Sequence, residues 1–417
     1  MYKKIKEAFR IAECIDNARW KTPSGSLSLV NYAHKPDDIE DAEEKAEYII
    51  LSHWLTYICE RQMSFEQIWD NGGFVFSDMV KKFQDPKVDI NDAFIKDFVN
   101  IYQDDKGKNK IRFVSKATCG DNLKESPQNE LNDNKVYFAS RYPSTDAVSV
   151  FQTLKTLKDF QKGDRTGLYN YINNGDNKST MLKLLFCMYD LSYNGIGQPK
   201  FNDITTKVNQ NEIKINGKSI LEYNRNNRIG DVDTYKKDKI FASKRAICAL
   251  RDYFKGAEYK EHFKILLGKN AFDNLTKQLD QLELPGDVWN NNSRFGKCMQ
   301  ALGFDYGEVK TKQYLNRALR TAYDNIGDKK VGYPEQFDFT FDFVPRMCEK
   351  SNCDICLFAY LKKKDFKQDA FNKYCTGNGD KVCPVLLQYC GYTVICQDAN
   401  DNGACLSTLL QEIKKRI

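Results

Sequence analysis

The stretch Cys348-Glu349-Lys350-Ser351-Asn352-Cys353-Asp354-Ile355-Cys356 gathers three thiols in one short, polar segment. Thiolates this close, with little apolar cover, point to a bound metal ion or cluster. A fourth ligand is expected from Cys375 or Cys383, which follow the lysine-rich stretch 361–373; Cys375 is the first choice. Tetrahedral thiolate ligation suits zinc and a 4Fe-4S cluster alike, and spacing alone does not separate them. In either form the site is structural first, because it ties together a short segment with little core of its own. Cys390, Cys396 and Cys405 read as buried single thiols, with a second metal site as the alternative.

Outward from that segment, the chain of 417 residues is 41% hydrophobic, enough for one large or two ordinary domains with a real core. No run of about 18 apolar residues is present, as a membrane span requires, and the first residues form a charged amphipathic pattern. A soluble, cytoplasmic protein with no membrane partner and no obligate protein partner is therefore expected. The net charge is only +6, from 63 Lys+Arg against 57 Asp+Glu, so attraction to nucleic acid has to come from a local patch. One candidate spans 225–251, where eight basic residues face three acidic ones; the simpler reading is a solvated helix face. Of the 14 cysteines, six (Cys14, Cys59, Cys119, Cys187, Cys248 and Cys298) stand singly in apolar-patterned segments, as buried inert thiols do. The three histidines (His34, His53 and His262) lie far from the thiol cluster, which removes most support for Cys/His zinc sites and His-based catalysis.

The body ahead of the cysteines reads as mainly helical. A short helix is expected over 3–14. A clearer one follows Pro36 and its acidic run, with Tyr48, Leu51, Trp54, Leu55 and Ile58 as the buried stripe. The polar segment 103–135 reads as a loop or insertion whose ends lie close together. Helices resume with Val150, Phe151, Leu154 and Leu157 after Ser144-Thr145-Asp146, and with Leu182, Leu185, Phe186 and Tyr189 after Ser179. Alternation around Asn216-Gly217 predicts a small β-hairpin over 212–221. Further helices are expected over 236–254, 272–282, 294–302 and 312–325. The organisation expected is a helical body over 1–345, with insertions near 103–137 and 199–230, and a Cys-rich segment over 346–417.

A C-terminal thiolate loop closing a helical body with a basic central region resembles the helix-hairpin-helix superfamily of DNA glycosylases. Phe343-Val344-Pro345-Arg346-Met347-Cys348, with Cys353 and Cys356, is similar to the start of that family's iron-sulfur loop, although here the first gap is shorter and the last longer. The run 57–69, containing Glu60-Arg61-Gln62, resembles the helix end whose polar residues enter DNA near the target base. Gly230-Asp231-Val232-Asp233-Thr234-Tyr235 resembles the segment that supplies the family's essential aspartate, with a basic helix after it. Asn194-Gly195-Ile196-Gly197 is similar to the hairpin in which glycines let backbone N–H groups reach a DNA phosphate. Gln198-Pro199 and the β-hairpin depart from the pattern and lengthen the interval to Asp233. Leu284-Pro285-Gly286, with Asp305, is the second-ranked hairpin and aspartate.

The resemblance implies a mainly α, helix-hairpin-helix glycosylase-like fold with a β-hairpin insertion and a C-terminal metal or cluster loop. It implies DNA as partner, from the branch that acts on modified pyrimidines such as those of phage DNA, with a role in phage defence. Asp233 is then the catalytic carboxylate, set against a sugar that gains positive charge as the base leaves. Glu60, Arg61, Gln62, Tyr193, Gly195, Gly197, Tyr235, Lys236 and Lys237 are the expected DNA and base contacts, and Cys348, Cys353, Cys356 and Cys375 the metal ligands. Lys200 sits off the position of a lyase nucleophile, so hydrolysis without strand cleavage is expected. Each motif also has a plainer reading: Asp233 as a turn or capping residue, Gly195 and Gly197 as a helix-terminating turn, and 60–62 as a solvated helix end. Two competitors remain. One is a non-catalytic nucleic-acid-binding protein with structural zinc. The other is a metal-dependent nuclease using Asp338 and Asp342, whose alternation with Phe337, Phe339, Phe341 and Phe343 reads more simply as a strand.

Overall fold

The computed structural model describes residues 32–59, 72–116, 129–132, 135–191, 208–209, 212–223 and 244–282. The chain divides into two compact units, one of Met1–Leu27, Lys255–Ala257 and Leu279–Ile417, the other of Ser28–Phe254 and Glu258–Gln278. Nearly all the described residues belong to the second, which is mainly helical with a small antiparallel sheet. The helices expected over 3–14, 294–302 and 312–325, and the expected boundary at 345/346, lie outside the described residues.

The helix expected after Pro36 is α1 (Ala42–Cys59), preceded by one 3-10 turn at Pro36–Asp38. Asp41 caps it, its carboxylate accepting from the amides of Glu43 (2.9 Å) and Glu44 (2.8 Å). The expected stripe is buried, and burial goes further. From Ala46 to Cys59 every side chain is buried, so α1 is covered all round and not on one face. Against it packs α2 (Gly72–Gln84), whose core side chains include Phe76, Met79 and Phe83. Asn91 then caps α3 (Asp92–Phe98) by accepting from the amides of Ala93 and Phe94.

The loop reading of 103–135 is corrected over its described residues, 103–116, 129–132 and 135. Strands β1 (Val99–Gln103), β2 (Asn109–Ser115), β3 (Asn129–Asn132) and β4 (Lys135–Phe138) form an antiparallel sheet in the order β1-β2-β4-β3. Alternation in β2 carries the reason: Ile111 and Phe113 are buried while Lys110 and Arg112 are not. The buried face meets the helices through an aromatic layer in which Phe76 packs on Phe113 and Phe138, and Phe151 on Phe94 and Phe113. Nor are the ends of that segment close. Gln103 pairs with Asn109 at one end of β2, and Ser115 at the other pairs with Val136 beside Lys135. Those ends are roughly 20 Å apart at strand rise.

The next expected helix is α4 (Pro143–Phe160), with proline in its first turn and Val150, Phe151, Leu154 and Leu157 fully buried. Thr166 caps α5 (Gly167–Ile172). This short helix lies hard against α4, because a Cβ on Gly167 would sit 2.2 Å from the Leu157 carbonyl oxygen. In α6 (Met181–Leu191), Thr180 Oγ1 accepts from the Lys183 amide (3.2 Å) and starts the helix. Its core face differs from the one expected: Leu185 and Tyr189 are buried, but Leu182 and Phe186 only partly, and Met181, Leu184 and Met188 fill the core instead. The segment is apolar nearly all round, so its period alone does not fix the face.

The β-hairpin is present as β5 (Lys214–Ile215) and β6 (Lys218–Ser219), shorter than expected. Asn216 (φ 52°) and Gly217 (φ 78°) both take the left-handed conformation that a two-residue type I′ turn needs. A capping box of Ser219 and Glu222 opens the 3-10 turn Ile220–Glu222. Part of the expected 199–230 insertion is thereby fastened to the body: Gln152 Nε2 donates to the carbonyls of Ile220 (3.2 Å) and Tyr223 (2.6 Å), and Ile215 and Ile220 are fully buried. The described part of the helix expected over 236–254 is α7 (Lys244–Lys255). It is followed by α8 (Ala257–Leu267) and α9 (Lys269–Thr276), so the helix expected over 272–282 begins earlier and ends sooner.

Candidate functional site

Every residue assigned a role from sequence lies outside the described residues: Asp233; Glu60, Arg61 and Gln62; Tyr193, Gly195 and Gly197; Tyr235, Lys236 and Lys237; and Cys348, Cys353, Cys356 and Cys375. What the described residues supply is the helices that lead into or out of these motifs. Helix α1 is described as far as Cys59, one position before Glu60; α6 as far as Leu191, two before Tyr193; and α7 from Lys244, after the run holding Asp233 to Lys237. Among the described residues no three His, Cys, Asp or Glu side chains gather as a metal site.

A buried polar cluster joins α1 to α7 and α8. Tyr57 on α1 donates to Asp252 Oδ2 on α7 (2.7 Å), and His53 Nδ1 lies 3.1 Å from the Tyr253 hydroxyl. That hydroxyl also reaches the Ile50 carbonyl oxygen (3.2 Å), so its single proton is aimed at one of these two neighbours. His53 Nε2 stands 3.9 Å from Asp252 Oδ2, and the His53 ring lies against Tyr57, Tyr253 and Tyr259. Burial holds the imidazole neutral by lowering its pKa to about 3. Burial, with the Asp252 carboxylate second, pushes the Tyr253 hydroxyl well above the ordinary tyrosine range. His53, Tyr57, Asp252 and Tyr253 are all at most 2% exposed, so this cluster cannot meet a substrate; its chemistry is orientation. No sequence signal marked it, because the partners stand about 200 positions apart.

Two expectations about single residues meet the described structure. The basic patch over 225–251 loses its last member, since Arg251 is only 4% exposed, with Nε 3.8 Å from Asp252 Oδ1. Cys59, Cys187 and Cys248 are buried as expected, and burial raises the Cys187 pKa far above the reactive range. Cys14, Cys119 and Cys298 lie outside the described residues. No helix among the described residues is long and apolar enough to cross a membrane. Comparison of the chain with protein-family models, with curated proteins and with solved structures gives no match.

Proposed function

We propose that the chain is a DNA glycosylase of helix-hairpin-helix type that hydrolyses the N-glycosidic bond of a modified base flipped out of DNA, with phage DNA carrying modified pyrimidines as the extended substrate class. The observation that supports this reading is the order of the motifs along a mainly helical chain: a polar helix end at 60–62, a glycine turn at 194–197, an aspartate at 233 and a thiolate loop from 348. Two of the four, at 60–62 and 194–197, follow closely on a helix of the described body. Asp233 would oppose the charge that develops on the sugar as the base leaves. Gly195 and Gly197 would offer backbone N–H groups to a phosphate, and Lys236 and Lys237 would add charge there. Glu60, Arg61 and Gln62 would fill the space vacated by the extruded base, with Tyr193 and Tyr235 as stacking surfaces.

Cys348, Cys353, Cys356 and Cys375 would hold zinc or a 4Fe-4S cluster, four soft thiolates being the donor set that both accept. The group's contribution is to brace the C-terminal segment. Incubation of the full chain with unmodified and pyrimidine-modified DNA tests the proposal. Abasic sites in the modified DNA that vanish with Asp233→Asn are the expected result. DNA binding with every base left in place would replace it with the non-catalytic reading, and magnesium-dependent strand cleavage with the nuclease reading.

A further inference from the structure

Two glutamates one turn apart on α1 reach the first amides of α5. Glu43 Oε1 accepts from the Thr166 amide (2.8 Å), and Glu47 Oε1 from the Leu168 amide (2.8 Å). They differ in what balances their charge. Glu43 is paired with Arg165, whereas Glu47, 2% exposed, has only neutral donors: the Leu168 amide and Gln84 Nε2 (3.2 Å). The charged groups near it are mostly of the wrong sign. Glu43 and Glu44 on α1 oppose its ionisation, and Lys158 on α4 feels Glu47 less than it feels Asp85 and Asp89, its ammonium being engaged with the carbonyls of Phe83 and Asp85.

We propose that Glu47 is a proton-operated clasp that holds α5 on α1 firmly when protonated and lets it open locally when ionised. A buried carboxyl bonded to no cation resists ionisation, and burial accordingly pushes Glu47 up to about 7, against the lowering effect of its two hydrogen bonds. Opening of α5 returns the side chain to water, where it ionises near pH 4.5. The open form is therefore favoured progressively as pH rises from there through 7. What the clasp holds is more than α5, since the Tyr171 hydroxyl lies 3.3 Å from the Cys187 carbonyl oxygen and 3.2 Å from Asp190 Oδ2 on α6.

Amide hydrogen exchange of the full chain, read by mass spectrometry on peptides covering α5 and on peptides of α7 and α8, tests this inference without reference to any activity. From pH 6 to pH 8, after correction for intrinsic exchange, the protection of α5 is expected to fall on the order of ten-fold. Protection of α7 and α8 should change by less than about two-fold. In Glu47→Gln the dependence of α5 should disappear. Three results would overturn the proposal: α5 protection independent of pH in the parent, an equal fall in all three helices, or persistence of the fall in Glu47→Gln. The parent chain alone decides the first two, so a variant that fails to fold leaves the proposal testable.

Discussion

Replacing Gly167 by alanine probes the closest approach in the described body. The added Cβ would stand 2.2 Å from the Leu157 carbonyl oxygen, 2.8 Å from its carbon and 3.3 Å from its Cβ. A backbone carbonyl cannot rotate aside as a side-chain tip can, so α5 must move off α4. Overpacking of this kind costs about 1–3 kcal/mol. Displacement also stretches the hydrogen bonds from Thr166 and Leu168 to Glu43 and Glu47, each worth about 1 kcal/mol. Restricting the unfolded chain returns about 0.4–1 kcal/mol, so the net loss expected is roughly 2–4 kcal/mol. Gly175→Ala is the control, because its φ of 59° is left-handed but nothing lies within 4 Å of its Cβ. Its cost should be about 1–2 kcal/mol, from backbone strain alone. Urea unfolding followed by far-ultraviolet circular dichroism measures both. A Gly167→Ala chain within about 0.5 kcal/mol of the parent, or one less perturbed than Gly175→Ala, would refute the packing described for α5.

His53 has a folded pKa near 3 against 6.5 for the free side chain, so its neutral burial adds stability fully present above pH 6.5 and lost as pH falls toward 3. Between pH 7 and pH 4 the loss is roughly 3 kcal/mol, and His53→Gln, compared with the parent by denaturant unfolding across that range, should lack it. Tyr57→Phe removes a hydrogen bond to a buried carboxylate and should lower the unfolding free energy by about 2 kcal/mol in the same assay. Gly217→Val forces a β-branched side chain into a turn with φ of 78° and should weaken the hairpin by about 1–2 kcal/mol. Faster hydrogen exchange in the 212–223 peptide, with α7 unchanged, would register that change.

Legibility from sequence followed the locality of the forces. The start of α1, the Asn216-Gly217 turn and the core positions of α4 depend on neighbouring residues, and periodicity with capping chemistry was enough to find them. The sheet was missed because each strand is short and its lysines and arginine mask the alternation until Phe76 and Phe151 supply a buried face. The face of α6 and the burial of Arg251 were also out of reach, since both are decided by partners distant in the chain. For the candidate site, sequence supplied motifs and order, while the described residues supplied the flanking helices and the His53–Asp252 cluster that braces two of them. That cluster has no local signature, because complementarity between α1 and α7 exists only after folding.

The all-round cover on α1 has a consequence for synthesis. Tyr253, whose hydroxyl binds the Ile50 carbonyl, emerges from the ribosome 203 positions later. At translation speeds of about 5–20 residues per second, that is a wait of roughly 10–40 s. During it the face of the buried run 46–59 that α7 and α8 will cover has no lid, so nascent chains in a polysome can reach one another. Messages cut short anywhere between the codons for Cys59 and Lys244 would release a product that clumps instead of a smaller working protein, and slowing elongation across that interval should raise the insoluble fraction.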